Sequence, residues 1–209
     1  MLFPIAVCAL AVLALFIAEW RNWRPGIWLA KPLASTTFVA AALLWGAADS
    51  TFGRWVLAAL ALCWLGDVLL IPRQRPGCFI AGIASFLLGH LAFVAAFVER
   101  SVDTMALAFG GVLMAPALWL LLRWLRPHLF GLFRFAVPAY VLVICAMLVA
   151  ALATVLAVGQ PAILLGAFLF TVSDVAVARD RFVSPGGSSW IWGLPLYYAA
   201  QLVLASTVR

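Results

Sequence analysis

The sequence predicts an all-α polytopic membrane protein, a single domain of eight transmembrane helices. Composition is the first reason: 67% of the residues are hydrophobic and 10% charged, with a mean hydropathy of +1.18, against about 45–50% and about 25% in soluble domains. Length is the second. Eight apolar stretches fall at residues 2–18, 27–47, 54–72, 78–98, 104–124, 133–157, 161–178 and 190–207, each suited to a hydrocarbon core about 30 Å thick. The third reason is that the segments between them are too short to hold a soluble domain.

The first stretch opens "MLFPIAVCAL" without a basic n-region, and its positive charges follow the apolar run instead of preceding it. It is expected to stay in the mature chain as an N-out anchor. The second carries Lys31 and Pro32 near its start, and the third ends "LGDVLL", which places Asp67 in an otherwise apolar run. A carboxylate in hydrocarbon costs several kcal/mol unless it is paired or wetted, which makes it a functional candidate by default. The fourth stretch holds Gly82, Phe86 and His90; the fifth begins the second half of the chain; the sixth has an early Pro138. The seventh ends "VSDVAVA" with Asp174, and the eighth contains "LYYAAQLVLAS". Trp20, Trp23 and Trp28, with Trp190 and Trp192, fit an interfacial aromatic belt.

The net charge of +6 does not indicate nucleic acid, because the basic residues lie in short loops and form no continuous patch. Arg21, Arg24, Lys31, Arg73, Arg75, Arg123, Arg126, Arg134, Arg179 and Arg181 follow odd-numbered helices, and only Arg54, Arg100 and Arg209 lie opposite. The positive-inside rule then places the odd loops in the cytoplasm and both termini outside, as expected in a bacterial inner membrane. Cys8, Cys63, Cys78 and Cys145 are scattered without paired spacing and read as small apolar packers.

The two halves share an order of features, as internal repeats in membrane chains do. Asp67 in "LGDVLL" aligns with Asp174 in "VSDVAV" at an offset of 107. "FIAGIASFLLGHL" aligns with "WIWGLPLYYAAQL" at an offset of 111, which pairs Gly82 with Gly193, Phe86 with Tyr197, and His90 with Gln201. Pro32 and Pro138 stand early in the second and sixth stretches. Four helices per repeat would give residues 1–103 and 104–209 one orientation, with Asp67 and Asp174 facing each other across an axis along the membrane normal.

At about 1.5 Å of rise per residue, Asp67, Asp174 and Lys31 lie roughly 6–8 Å inside the cytoplasmic ends of their helices, while His90 and Gln201 come near the midplane. Each has a plainer reading. Lys31 can snorkel, His90 and Gln201 can serve as helix–helix hydrogen-bond glue, and either aspartate can be neutralised by Lys31 or a loop arginine. Glu19 and His128 stand at helix ends and read as interfacial. The chain has no GxSxG, no HExxH, no Gly-rich phosphate loop and no Cys/His ligand set, so serine-hydrolase, zincin and nucleotide-dependent chemistry lack their parts. No metal or other cofactor is expected.

"KPLAS", "LGDVLL", "FIAGIASFLLGHLAFVAAF", "VSDVAVA" and "LYYAAQLVLAS" together resemble, in order and spacing, the YhhN family of membrane proteins, which includes the lysoplasmalogenases. The resemblance implies an eight-helix hydrolase that cleaves the vinyl-ether bond of a lysoplasmalogen to a fatty aldehyde and glycerophospho-choline or glycerophospho-ethanolamine. Its motif positions are Lys31, Asp67, His90, Asp174, Tyr197, Tyr198 and Gln201. Asp67 and Asp174 are the expected catalytic pair: like charges in a buried site would leave one protonated beside one ionised, as in glycoside hydrolysis. Lys31 would take the headgroup phosphate, and His90 and Tyr197 would orient an aspartate or the water. The alternative from another class is a proton-coupled transporter or lipid flippase, since paired intramembrane acids and repeats also mark carriers.

Overall fold

A computed structural model describes residues 2–72 and 74–209; Arg73, counted above among the cytoplasmic charges, lies outside the described residues. The described chain forms eight α-helices: α1 (Leu2–Trp20), α2 (Arg24–Leu44), α3 (Thr51–Leu69), α4 (Pro76–Arg100), α5 (Thr104–Leu125), α6 (Phe133–Val158), α7 (Ala162–Ala178) and α8 (Trp190–Ser206). Single 3₁₀ turns occur at Ala47–Asp49 and Arg126–His128, and a π turn at Arg179–Val183 prolongs α7. Helices α1 to α7 are long and apolar enough to cross a membrane. With 17 residues, α8 is about 25 Å long, the short end of the spanning range. The protein is a polytopic membrane protein.

Helix ends depart from the apolar runs where local chemistry intervenes. Pro25 sits in the first turn of α2, where its missing N–H costs nothing and its fixed φ favours a helix start. The helix therefore begins at Arg24, ahead of the apolar run, and Lys31 lies two turns in. At the other end of the hairpin, α3 stops at Leu69, short of Pro72, so Asp67 occupies its last turn instead of lying a full turn inside. The Ser50 hydroxyl caps α3 by accepting from Gly53 N, and Asp103 caps α5 by accepting from Ala106 N at 2.8 Å. Asp180, in the π turn, accepts from Ser189 N and Trp190 N at 3.2 and 2.9 Å. That carboxylate at the N-terminus of α8 satisfies two otherwise orphaned donors and opposes the helix dipole.

Consecutive helices pack as antiparallel hairpins, α1 with α2, α3 with α4, α5 with α6 and α7 with α8; between halves, α2 packs on α8 and α4 on α6. Small residues allow the closest approaches, as is usual between membrane helices. A Cβ added at Gly82 would stand 2.9 Å from Leu70 Cγ and 3.5 Å from the Gly66 carbonyl, and one at Gly193 would stand 2.5 Å from Ala176 Cβ and 3.7 Å from the Ser173 carbonyl. The interior is filled by Phe38, Leu60, Phe93, Phe97, Met147 and Phe170. Large apolar side chains also cover the outside, most of all on α5, where Phe109, Val112 and Leu113 are exposed, as a helix facing acyl chains requires.

Candidate active site

The odd-loop end of the bundle encloses a cavity of about 490 Å³, within the range of small-molecule sites. Every helix reaches it: Glu19 from α1, Lys31 from α2, Asp67 from α3, Phe86 from α4, Leu125 from α5, Tyr140 from α6, Asp174 from α7 and Tyr197 from α8. Arg181, Phe182, Pro185 and Gly186 line it from the segment between α7 and α8. Most of the wall is apolar, and the polar groups gather around two carboxylates.

Asp67 is buried and meets three donors. Lys31 Nζ lies 3.3 Å from its Oδ1, while Ser35 Oγ and the Tyr197 hydroxyl each donate to its Oδ2 at 2.7 Å. Lys31 and Ser35 meet the same carboxylate because they stand four apart on α2 and so share a face. Behind them the Tyr198 hydroxyl lies 3.1 Å from Ser35 Oγ and 3.5 Å from the Lys31 carbonyl, which extends the network to a third hydroxyl. Three donors, one of them a lysine ammonium, thus converge on the Asp67 carboxyl group.

Asp174 has a different set of partners. His90 Nε2 lies 3.1 Å from its Oδ2, and the Tyr140 hydroxyl donates to the same oxygen at 3.3 Å. The His90 ring is fixed by its Nδ1, 2.8 Å from the Phe86 carbonyl, and by stacking on Phe170 at 4.3 Å. The side chain of Asp174 is 13% exposed against 4% for Asp67, so Asp174 is the more open of the two. Among the described residues no hydrogen bond joins the carboxylates. A series of ring contacts connects their surroundings instead, Tyr197 against Phe170 at 5.6 Å and Phe170 against His90.

The seven residues singled out from the sequence thus fall into two clusters, with Gln201 apart. Gln201 lies on α8 one turn beyond Tyr197, fully buried, with neither amide atom hydrogen-bonded among the described residues. Three contributors were not singled out. Ser35 was visible as the residue four after Lys31, and Tyr140 as one of only three tyrosines in the chain. Arg181, read only as a topology charge, sits 3.8 Å over the Phe79 ring at the cavity wall, held there by a cation–π contact.

The family model for the YhhN family matches residues 26–208. The chain belongs to the YhhN family. It is 33% identical over 156 residues to the Bos taurus protein named lysoplasmalogenase TMEM86A, a match covering 72% of this chain and 63% of the relative. It is 33% identical over 165 residues to lysoplasmalogenase TMEM86B of Homo sapiens, covering 78% and 68% respectively. With the Mycobacterium bovis lysoplasmalogenase it shares 32% identity over 135 residues, 62% of this chain and 51% of that one. No solved structure matches the chain. The YhhN match takes in both carboxylate clusters and Arg181, and α1, which supplies Glu19 to the cavity, precedes it.

Proposed function

We propose that this YhhN-family chain is a lysoplasmalogenase, a membrane hydrolase that cleaves the vinyl-ether bond of lysoplasmalogens to a fatty aldehyde and glycerophospho-choline or glycerophospho-ethanolamine. One observation carries the reading: two intramembrane carboxylates, each supported by its own partners, open onto one cavity of about 490 Å³ with mainly apolar walls. The names of the relatives agree with it. Hydrolysis of a vinyl ether begins with protonation of its outer carbon. Water captures the resulting oxocarbenium ion, and the hemiacetal collapses to aldehyde and alcohol. An acid, a cation stabiliser and a base are needed, and two carboxyl groups can supply all three.

Lys31 is spent on Asp67, so the headgroup phosphate falls instead to Arg181 at the cavity wall, whose planar fork suits phosphate oxygens. The alkenyl chain lies among Leu121, Trp124, Val137 and Ile144, where the ends of α5 and α6 line the cavity. The excess of basic residues supports a cytoplasmic-leaflet position for this end, with both termini outside. Residues 1–103 and 104–209 act as parallel pseudo-repeats. The α2–α8 contact corresponds to α6–α4, and the close approach of Gly82 to Gly66 corresponds to that of Gly193 to Ser173. A transporter would be expected to break helices at its site, whereas α3 and α7 run as continuous α-helices through Asp67 and Asp174.

The test is aldehyde release from a lysoplasmalogen by the purified protein in detergent. Turnover without a sealed compartment is expected from an enzyme and not from a carrier. Asp67→Asn and Asp174→Asn should each lower it by about 10²–10⁴-fold, the usual weight of a general acid or base. An active, folded Asp67→Asn or Asp174→Asn variant would overturn the assignment.

A further inference from the structure

The two carboxylates differ in the protons they can hold, and the difference follows from His90. Both ring nitrogens of this fully buried residue face oxygen. Nδ1 lies 2.8 Å from the Phe86 carbonyl, which can only accept, so Nδ1 carries a hydrogen. Nε2 lies 3.1 Å from Asp174 Oδ2, outside hydrogen-bond alignment, and has no hydrogen-bond partner among the described residues. An imidazole with one hydrogen facing an ionised Asp174 would set a bare lone pair against a bare carboxylate oxygen, a repulsive contact in a dry site. A proton on either Nε2 or Oδ2 removes that repulsion. Asp67 is the opposite case: Ser35 and Tyr197 donate to its Oδ2 and the Lys31 ammonium faces its Oδ1, which leaves that oxygen a second lone pair to take a proton.

We propose that the His90–Asp174 pair holds the proton delivered to the substrate, and that Asp67 is the resident carboxylate that stabilises the cation. This deepens the lysoplasmalogenase reading and rests on it. Asp174 is the catalytic acid; His90 is a positioning residue that keeps the proton on it. The π electrons of the vinyl ether form the new C–H bond with that proton, which leaves an oxocarbenium ion and takes the neutral pair to a charge of minus one. Water then adds to the cation and gives its proton to Asp67. As the hemiacetal collapses, its hydroxyl proton restores the pair, the C–O bond to glycerol breaks, and Asp67 returns its proton to the departing oxygen. Water is consumed and both carboxyl groups end as they began.

The other titratable groups near the pair are Tyr140 on α6, which donates to Oδ2, and Cys63 on α3, within electrostatic reach of both carboxylates. Tyr197 on α8 contacts the His90 surroundings through the Phe170 ring, and its hydroxyl belongs to Asp67. Lys31 on α2 faces Asp67.

Two measurements test the proposal. The chain has two histidines, so isotope-labelled histidine in a His128→Gln background leaves one imidazole to observe by nitrogen NMR. His90 Nε2 should appear as a protonated or proton-sharing nitrogen near neutral pH and change in Asp174→Asn. A lone-pair nitrogen indifferent to Asp174→Asn overturns the proposal. In kinetics, His90→Phe keeps a ring against Phe170 but removes the proton holder. Its kcat should fall at least about 100-fold near neutral pH with KM little changed, and recover as the pH is lowered and Asp174 draws its proton from bulk water. Asp67→Asn should not recover. A loss in His90→Phe that is equal at every pH also overturns it. A shared proton in a protein that releases no aldehyde overturns the lysoplasmalogenase reading and leaves the proton pair standing.

Discussion

Removing Lys31 while keeping Asp67 strands a buried anion, and the structure sets the size of the penalty. At the observed 3.3 Å, two unit charges attract by about 5 kcal/mol at an effective dielectric constant of about 20. Desolvation of both groups takes back much of this, but breaking a buried pair by deleting one partner still costs about 3–5 kcal/mol. Two features lower that figure here: Asp67 keeps the Ser35 and Tyr197 donors, and an abandoned carboxylate can take up a proton. Lys31→Met, which retains the apolar stem, should therefore destabilise the protein by about 2–3 kcal/mol, below the range for a fully stranded ion. Asp67→Asn should cost less, because the ammonium, 16% exposed, can snorkel toward the cavity mouth. The double variant removes both charges, and a coupling of about 2 kcal/mol is expected, within the range for contacting residues. Equilibrium unfolding in mixed micelles, followed by tryptophan fluorescence, measures all four proteins. Additivity within about 0.5 kcal/mol would show that the pair is not the interaction holding α2 to α3 here.

Tyr197→Phe leaves the ring contacts with Phe38, Phe86 and Phe170 and removes only the hydroxyl on Asp67; loss of a bond to a charged group, about 1.5–3 kcal/mol, should lower kcat about 10- to 100-fold, and unchanged turnover would remove Tyr197 from the site. Arg181→Gln should raise KM for a lysoplasmalogen while leaving hydrolysis of the matching alkenyl glycerol, which lacks phosphate, unaffected; equal effects on both substrates would contradict the headgroup contact. Gly193→Ala drives a methyl against Ala176 Cβ and should destabilise by about 1–3 kcal/mol, whereas Gly111→Ala on α5 meets nothing within 4 Å and should be neutral or stabilising by up to about 1 kcal/mol. Melting temperatures in detergent separate the two glycines.

Hydrophobicity and charge placement are local properties, and they were enough to predict the eight helices, since a chain in lipid must satisfy its backbone within each segment. The start of α2 and the end of α3 depart from the apolar runs because hydropathy does not register a proline that opens a helix or one that ends it. Asp67, Asp174, Lys31, His90 and Tyr197 were legible as polar residues in apolar stretches, where each carries a cost that invites a reason. Their partners were not. That Lys31 pairs with Asp67, that Ser35 and Tyr140 complete the two clusters, and that Arg181 turns inward over Phe79 depend on how helices cross between the halves. Distances between residues far apart in the chain are set by packing at small residues such as Gly66, Gly82 and Gly193. Which carboxylate serves as acid was undecidable from residue types, because an aspartate among three donors and one beside an imidazole nitrogen differ only in their neighbours, and only the fold supplies those.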